Sequence, residues 1–435
     1  MNRLFVALVF LGFGVTAWHQ LHWLPAGNEP SPMQALTRGM VETAASSVSL
    51  AMGLIGVMAL FLGLIKVAEQ GGLLTILARL IRPVMVRLFP DVPADHPAMG
   101  AMILNMAANA LGLGNAATPF GIRAMHELER LNPSPGTATN AMALFLAINT
   151  ASITLVPSSV IAVRASLGSQ DPAAILPTTL FATVCATLAA ILSAKLYQRW
   201  SPLPAGGEAT GRGPRPDQDA GGPAEYGETI PQDTGYPDWV SLTAIGAILG
   251  LIPLTILYGR LFSVWVIPGL VAGFLGFGLL RGVRVYEAFV EGAREGFEVA
   301  VRIIPYLVAI LVAVSMFRTS GALAVLVAWL SPLTTPLGLP AEALPMALLR
   351  PFSGSGAYGL MTAIMQDPAI GPDGYVGMLV STIQGSTETT FYVLAVYLGA
   401  IQVRRMRHTL AVALTADLVG LMAAVAGCTL LFGGR

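Results

Sequence analysis

Long apolar runs recur from one end of this sequence to the other, and they restrict the fold before any other feature does. Leu4–Ala17, Leu50–Ile65, Ala174–Leu196, Val240–Tyr258, Val264–Leu280 and Ile304–Phe317 are each dominated by Leu, Val, Ile and Ala. In hydrocarbon every backbone N–H and C=O must be satisfied within the chain, so runs of this kind become α-helices. Only 11% of the residues are charged and 54% are hydrophobic, where soluble domains carry roughly a quarter charged. The expected fold class is an all-α polytopic membrane protein. With a net charge of zero and no long basic tract, nothing recommends nucleic acid as a partner. Cys185 and Cys428 lie inside apolar runs, where they read as packing residues and not as a disulfide or metal site.

Polar interruptions of the apolar background carry the functional signal. Ser381–Tyr392, STIQGSTETTFY, sets Glu388 among six Ser and Thr hydroxyls, between the apolar flanks Tyr375–Val380 and Val393–Ile401. A carboxylate at the centre of a spanning helix costs about 2.5–3.5 kcal/mol on insertion scales, so it needs a partner or a wet cavity. One reading is a hydroxyl-rich helix contact with Glu388 satisfied by an arginine; the other is a solute site. Arg350, in LLRPFSGSGAYG, is the natural partner, and if it faced a cavity instead it would select anions. In the first half, Asn105, Asn109 and Asn115 lie near Gly112, Gly114 and Pro119, with Asn105 and Asn109 on one helical face. Asn149, Thr150 and Ser152 precede Pro157, which frees a carbonyl one turn earlier. Ser353, Ser355, Gln384, Ser386, Thr387 and Thr389 complete the expected solute-binding set. No His or Cys pair has ligand spacing, and GLGNAATP has no strand before it. No metal, organic cofactor or enzymatic activity is therefore expected. A coupling proton on Glu388, or sodium held by hydroxyls and freed carbonyls, fits the same residues.

Ser201–Asp238, with eight Gly and seven Pro, reads as a flexible cytoplasmic linker over 201–238. It divides the chain into units at 1–200 and 239–435. The second unit replays the first: ALTRG at Ala35 matches AFVEG at Ala288, and EQGGLLTILARLIRP at Glu69 matches RTSGALAVLVAWLSP at Arg318. HPAMGAMILNMAANA matches LPMALLRPFSGSGAY, and AINTASITLVP at Ala147 matches QGSTETTFYVL at Gln384. Paired, interrupted polar segments point to a transporter's binding site. Met33–Val48 and Tyr286–Ile303 read as interfacial amphipathic helices, and the Arg-bearing Leu73–Leu88 as interfacial or re-entrant. Placing Arg79, Arg82, Arg87, Arg123, Lys195, Arg281, Arg404, Arg405 and Arg407 on the cytoplasmic side puts the N-terminus there too. The first run then reads as an uncleaved span. One span leads the first repeat and two lead the second, so the repeats are expected to be inverted.

Two long stretches carry a family resemblance. Leu50–Arg164, with KVAEQGGLL and FLAINTASITLVPSSVIAVR, resembles spore maturation protein A. Tyr286–Gly420, with ALLRPFSGSGAYGLM and STIQGSTETTFYVLAVYLGAIQVRR, is similar to spore maturation protein B. The chain looks like the two joined, within the nucleoside-recognition or Gate domain group. That resemblance implies a bacterial inner-membrane protein with an envelope or spore-maturation role, translocation of a solute, and oligomerisation, read here as a homodimer. The functions expected are a transporter of a small polar or anionic solute, nucleoside-like or dicarboxylate-like, or a non-transporting membrane scaffold. A lipid-linked cargo would also suit the surface helices.

Overall fold

The computed structural model describes residues 2–24, 30–112, 114–151, 153–202 and 236–433. Most of the Gly- and Pro-rich stretch, 203–235, therefore lies outside the described residues, as does Ser152. The described residues form helices: α1 (Asn2–Leu21), α2 (Pro32–Gln70), α3 (Leu73–Leu88), α4 (Pro97–Ala110), α5 (Gly114–Arg130), α6 (Asn140–Thr150), α7 (Ser158–Ser166) and α8 (Leu176–Tyr197) in the first half. The second half has α9 (Asp238–Leu280), α10 (Val285–Thr319), α11 (Ala322–Thr334), α12 (Leu344–Leu349), α13 (Gly354–Gln366), α14 (Tyr375–Ser386), α15 (Thr390–Ala400) and α16 (Thr409–Phe432). The all-α, apolar architecture is the one the sequence implies. Among the described residues α8 and α16 are long and apolar enough to cross a membrane, and Ile55–Gln70 with α3, bent by 70° at Gly71–Gly72, makes a third candidate.

Three pairs of expected elements are fused. The surface helix over Met33–Val48 and the span after it are one 39-residue helix, α2, opened by a capping box at Ser31 and Gln34. Tyr286–Ile303 and the following span likewise form α10, of 35 residues. The two spans expected over Val240–Leu280 are one 43-residue helix, α9, about 65 Å long. Neither Val48–Leu50 nor Tyr258–Phe262 contains a proline to stop a helix that is already nucleated. Because α9 is continuous, counting leading spans no longer fixes the relative sense of the halves.

Packing shows how one helix of each half meets the other. The long rods α2 and α10 run antiparallel: Thr43 Oγ1 donates to Ser315 Oγ at 3.0 Å, while Lys66 near the other end of α2 pairs with Glu291 and Glu295 at 3.5 and 3.3 Å. A Cβ on Gly39 would meet Ser315 and Thr319, and one on Gly292 would meet Leu62 and Lys66. Leu62 and Lys66 follow Gly39 by 23 and 27 residues, as Ser315 and Thr319 follow Gly292. The contact is repeated with the helices exchanged, which an approximate two-fold axis between them produces. α8 and α16 are antiparallel as well, with Ala186 against Gly420 and Tyr197 OH 3.1 Å from Thr415 Oγ1.

The shorter helices interlock between the halves. α6 packs on α16 and α14 on α8, where Thr178 and Thr382 share a 2.8 Å hydrogen bond. At one end the loop after α15 clasps the loop before α6: Arg404 N donates to Gly136 O at 2.9 Å and Ala138 N to Arg405 O at 3.0 Å. At the other, the fully buried Arg164 of α7 donates to Pro372 O at 2.5 Å and Asp373 Oδ1 at 2.9 Å, in the loop before α14. Each of these loops therefore takes part of its hydrogen bonding from the other half.

Candidate functional site

Four helix interruptions converge at one junction, and local sequence explains each. Residues 151–157 break between α6 and α7 because β-branched residues lead into Pro157, which disfavours the helical conformation at Val156. The run from Gly385 to Thr390 is Gly, Ser, Thr, Glu, Thr, Thr, mostly weak helix formers, and Thr387 is extended at φ −141° and ψ 160°. Pro351 separates α12 from α13, while between α4 and α5 Gly112 takes φ +76°, a conformation that favours glycine.

The backbone groups freed by these breaks satisfy one another. Leu155 N donates to Ala110 O at 3.0 Å, so in the first half one break meets the other. Phe391 N donates to Pro351 O at 3.0 Å in the second half, in the same manner. Glu388 N donates to Thr150 O at 2.7 Å and joins the halves. Thr187 of α8 donates its hydroxyl to Ala151 O. Irregular backbone at membrane depth is tolerated only where it is buried in protein or lines a cavity, and here protein supplies most of the partners.

Side chains follow the backbone. Arg350 is 5% exposed; it donates to Thr389 Oγ1 at 2.9 Å and to Thr387 O, and its guanidinium is 3.7 Å from Glu388 Oε2. The pairing expected of Arg350 and Glu388 is thus present. Glu388 itself corrects the reading of a deeply buried carboxylate, because its side chain is 51% exposed. The helix ends at Ser386, so Glu388 leaves its axis and turns outward. Asn109 donates to Asn149 Oδ1 at 3.0 Å, and Asn149 donates to Phe145 O at 3.0 Å. Asn149 and Thr150 are buried, one and zero residues from the carbonyl that Glu388 N meets.

The remaining candidates are dispersed around this centre. Asn105 is fully buried; it donates to Ala117 O at 2.7 Å and to Tyr397 OH at 3.4 Å, bracing α4 against α5 and α15. Ser353 caps α13 through Gly356 N at 2.9 Å, and Ser386 donates to Ile383 O at 3.0 Å. Ser355 is half-buried, and so is Gln384, whose Oε1 has no partner among the described residues. Asn115 lies in the first turn of α5, but its side chain is outside what is described, as is Ser152. A shallow hollow of about 540 Å³ lined by Met33, Gln34, Thr37, Arg38, Val41 and Glu42 lies on α2 and contains none of the junction residues.

Sequence reasoning missed two residues of consequence. Asp417, in the middle of α16, is 9% exposed and accepts a 2.6 Å hydrogen bond from Thr390 Oγ1. A lone carboxylate in an apolar helix is the same signal that singles out Glu388. Arg164 is the other; its position near a helix end resembles an ordinary loop charge.

Comparison with known proteins bears on this arrangement. The family described as Gate, nucleoside recognition, matches residues 51–194 and 300–404, more than half of the chain and all four breaks. The chain belongs to the Gate family. Spore maturation protein B of Bacillus subtilis (strain 168) is 48% identical over 171 residues, which make up 39% of this chain and 95% of that protein. Spore maturation protein A of the same strain is 44% identical over 160 residues, 37% of this chain and 82% of that protein. The two matches fall on different parts of the chain. Among solved structures, the Alcanivorax borkumensis YdaH transporter aligns over 99% of this Gate protein and 98% of its own chain, at 19% identity and a TM-score of 0.38.

Proposed function

We propose that this Gate protein moves a small polar or anionic solute across the bacterial inner membrane, with the solute bound at the junction of its two halves. The observation that carries the reading is the convergence of four helix breaks on Arg350, Glu388 and Thr150, with Glu388 N on Thr150 O at 2.7 Å. Two halves in inverted sense, which the exchanged α2–α10 contacts support, would rock about such a centre to open it to either side. A guanidinium 3.7 Å from a half-exposed carboxylate suits a ligand that carries both donors and acceptors, as nucleosides do. A dicarboxylate would instead displace Glu388 from Arg350. Counting basic residues in the loops supports a cytoplasmic N-terminus.

The rival reading is a non-transporting scaffold, favoured by the extent to which Asn109, Asn149 and Thr187 already bond within the protein. Uptake of labelled nucleosides and dicarboxylates into vesicles containing the purified chain separates the two. Transport predicts flux that Glu388→Gln and Arg350→Gln abolish while the variants remain folded. Flux that persists in both variants would remove the junction from the mechanism.

A further inference from the structure

Asp417 is set apart from every other carboxylate among the described residues. It is more than nine-tenths buried, near the middle of the apolar helix α16, and one of its oxygens, Oδ1, has no partner. The other oxygen is held by Thr390 Oγ1 at 2.6 Å. Arg350 donates to Thr389 Oγ1 at 2.9 Å, next in sequence to the Thr390 that bonds Asp417, and the Nε of that guanidinium is also buried without a partner among the described residues.

The other elements packed on α16 bring few ionisable groups to it. α6 has no ionisable side chain, and α14 has only Tyr375, which bonds Thr429 at 2.9 Å toward the far end of α16. α8 carries Cys185, Lys195 and Tyr197, the last on Thr415 at 3.1 Å. α15 carries Tyr392 and Tyr397. The cation beside Asp417's own partner segment is Arg350, bonded to Thr389 at 2.9 Å and 3.7 Å from Glu388.

We infer that Asp417 holds an exchangeable proton, taken up and released beside the Thr387–Thr390 segment that Arg350 holds in place. Asp417 forms no ion pair among the described residues and has one hydroxyl partner, and a carboxylate buried in that way takes up a proton in preference to remaining ionised. The proton comes from water and binds a carboxylate oxygen; no other bond is made or broken. A metal cation is disfavoured because hard cations want six or more oxygen ligands, whereas Asp417 has one hydroxyl beside it and a guanidinium nearby. The inference concerns proton binding alone, so it stands or falls separately from solute transport.

Infrared difference spectroscopy of the purified full chain over a pH titration tests it. Wild type should show a protonated-carboxyl stretch that titrates, is lost in Asp417→Asn and is retained in Glu388→Gln. Thr390→Val, which keeps the fold's volume and removes the hydroxyl, should displace the midpoint of that band. The inference is overturned if the band survives in Asp417→Asn, if no titrating band exists in wild type, or if Thr390→Val leaves the midpoint unmoved. Replacing choline chloride with sodium chloride should leave the band unchanged; its suppression by sodium would overturn the proton in favour of a metal cation.

Discussion

Replacing Arg164 with methionine should unfasten the two halves at one end of the molecule. The guanidinium is fully buried and donates to Pro372 O (2.5 Å), Asp373 Oδ1 (2.9 Å), Ser169 Oγ (3.1 Å), Asp171 O (3.2 Å) and Pro172 O (3.2 Å). Removing one member of a buried ion pair costs about 3–5 kcal/mol. Asp373 is 34% exposed and keeps Ser169 Oγ at 2.6 Å and Gln170 N at 2.8 Å, so its own charge contributes toward the low end. Three backbone carbonyls lose a donor at about 1 kcal/mol or more each. Methionine fills much of the vacated volume and limits the cavity term. The expected loss is about 6 kcal/mol, about 3 for the ion pair and about 1 for each of the three carbonyls, read by titrating SDS into the protein in mild detergent. Arg130→Met provides the contrast: that side chain is 68% exposed and pairs with Glu127 at 2.9 Å, and it should cost less than about 1 kcal/mol. If Arg164→Met is no worse than Arg130→Met, the latch is not what holds these loops together.

Gly420→Leu should overpack the α8–α16 crossing, since even a Cβ there would lie 2.9 Å from Thr387 Cγ2 and 3.1 Å from Ala186 Cβ; a loss of about 1–3 kcal/mol is expected in the same titration, and none would mean the helices are not so close. His408 is buried with neither ring nitrogen bonded among the described residues, and burial, with Arg407 beside it, holds its imidazole down to about 4 from 6.5. Because the unfolded chain takes up that proton first, its contribution to stability is complete above pH 6.5 and is lost as the pH falls toward 4. His408→Gln should therefore flatten the stability curve between those limits, and an equally steep curve in the variant would exclude His408 as the cause.

Much of this architecture is legible in the sequence because membrane burial imposes a strong pattern. The apolar runs announce helices, and Gly, Pro and β-branched clusters announce the places where Thr150 and Ser386 end theirs. The repeat is legible too, but its register fails at the Arg350 break: aligning HPAMGAMILNMAANA with LPMALLRPFSGSGAY sets Arg350 against Met102, inside α4. α12 has 6 residues where α4 has 14, a difference in length that residue matching without gaps cannot register. Helix continuity was the least legible feature, because amphipathic and apolar segments join without a proline between them in α2 and α9, and in α10 the helix runs on through Pro305. Partners distant in sequence were hidden altogether. Nothing near Arg164 names Asp373, and Asp417 gains its significance only from Thr390 and Arg350.

The proposed function requires the junction around Glu388 to be wet and to belong to a solute path. Glu388→Cys, made in a Cys185→Ser, Cys428→Ala background and reconstituted in vesicles, should react rapidly with a small, charged, water-soluble thiol reagent and be protected when a transported solute is present. Reaction only with an apolar reagent, at a rate no solute changes, would place residue 388 against acyl chains and contradict the claim.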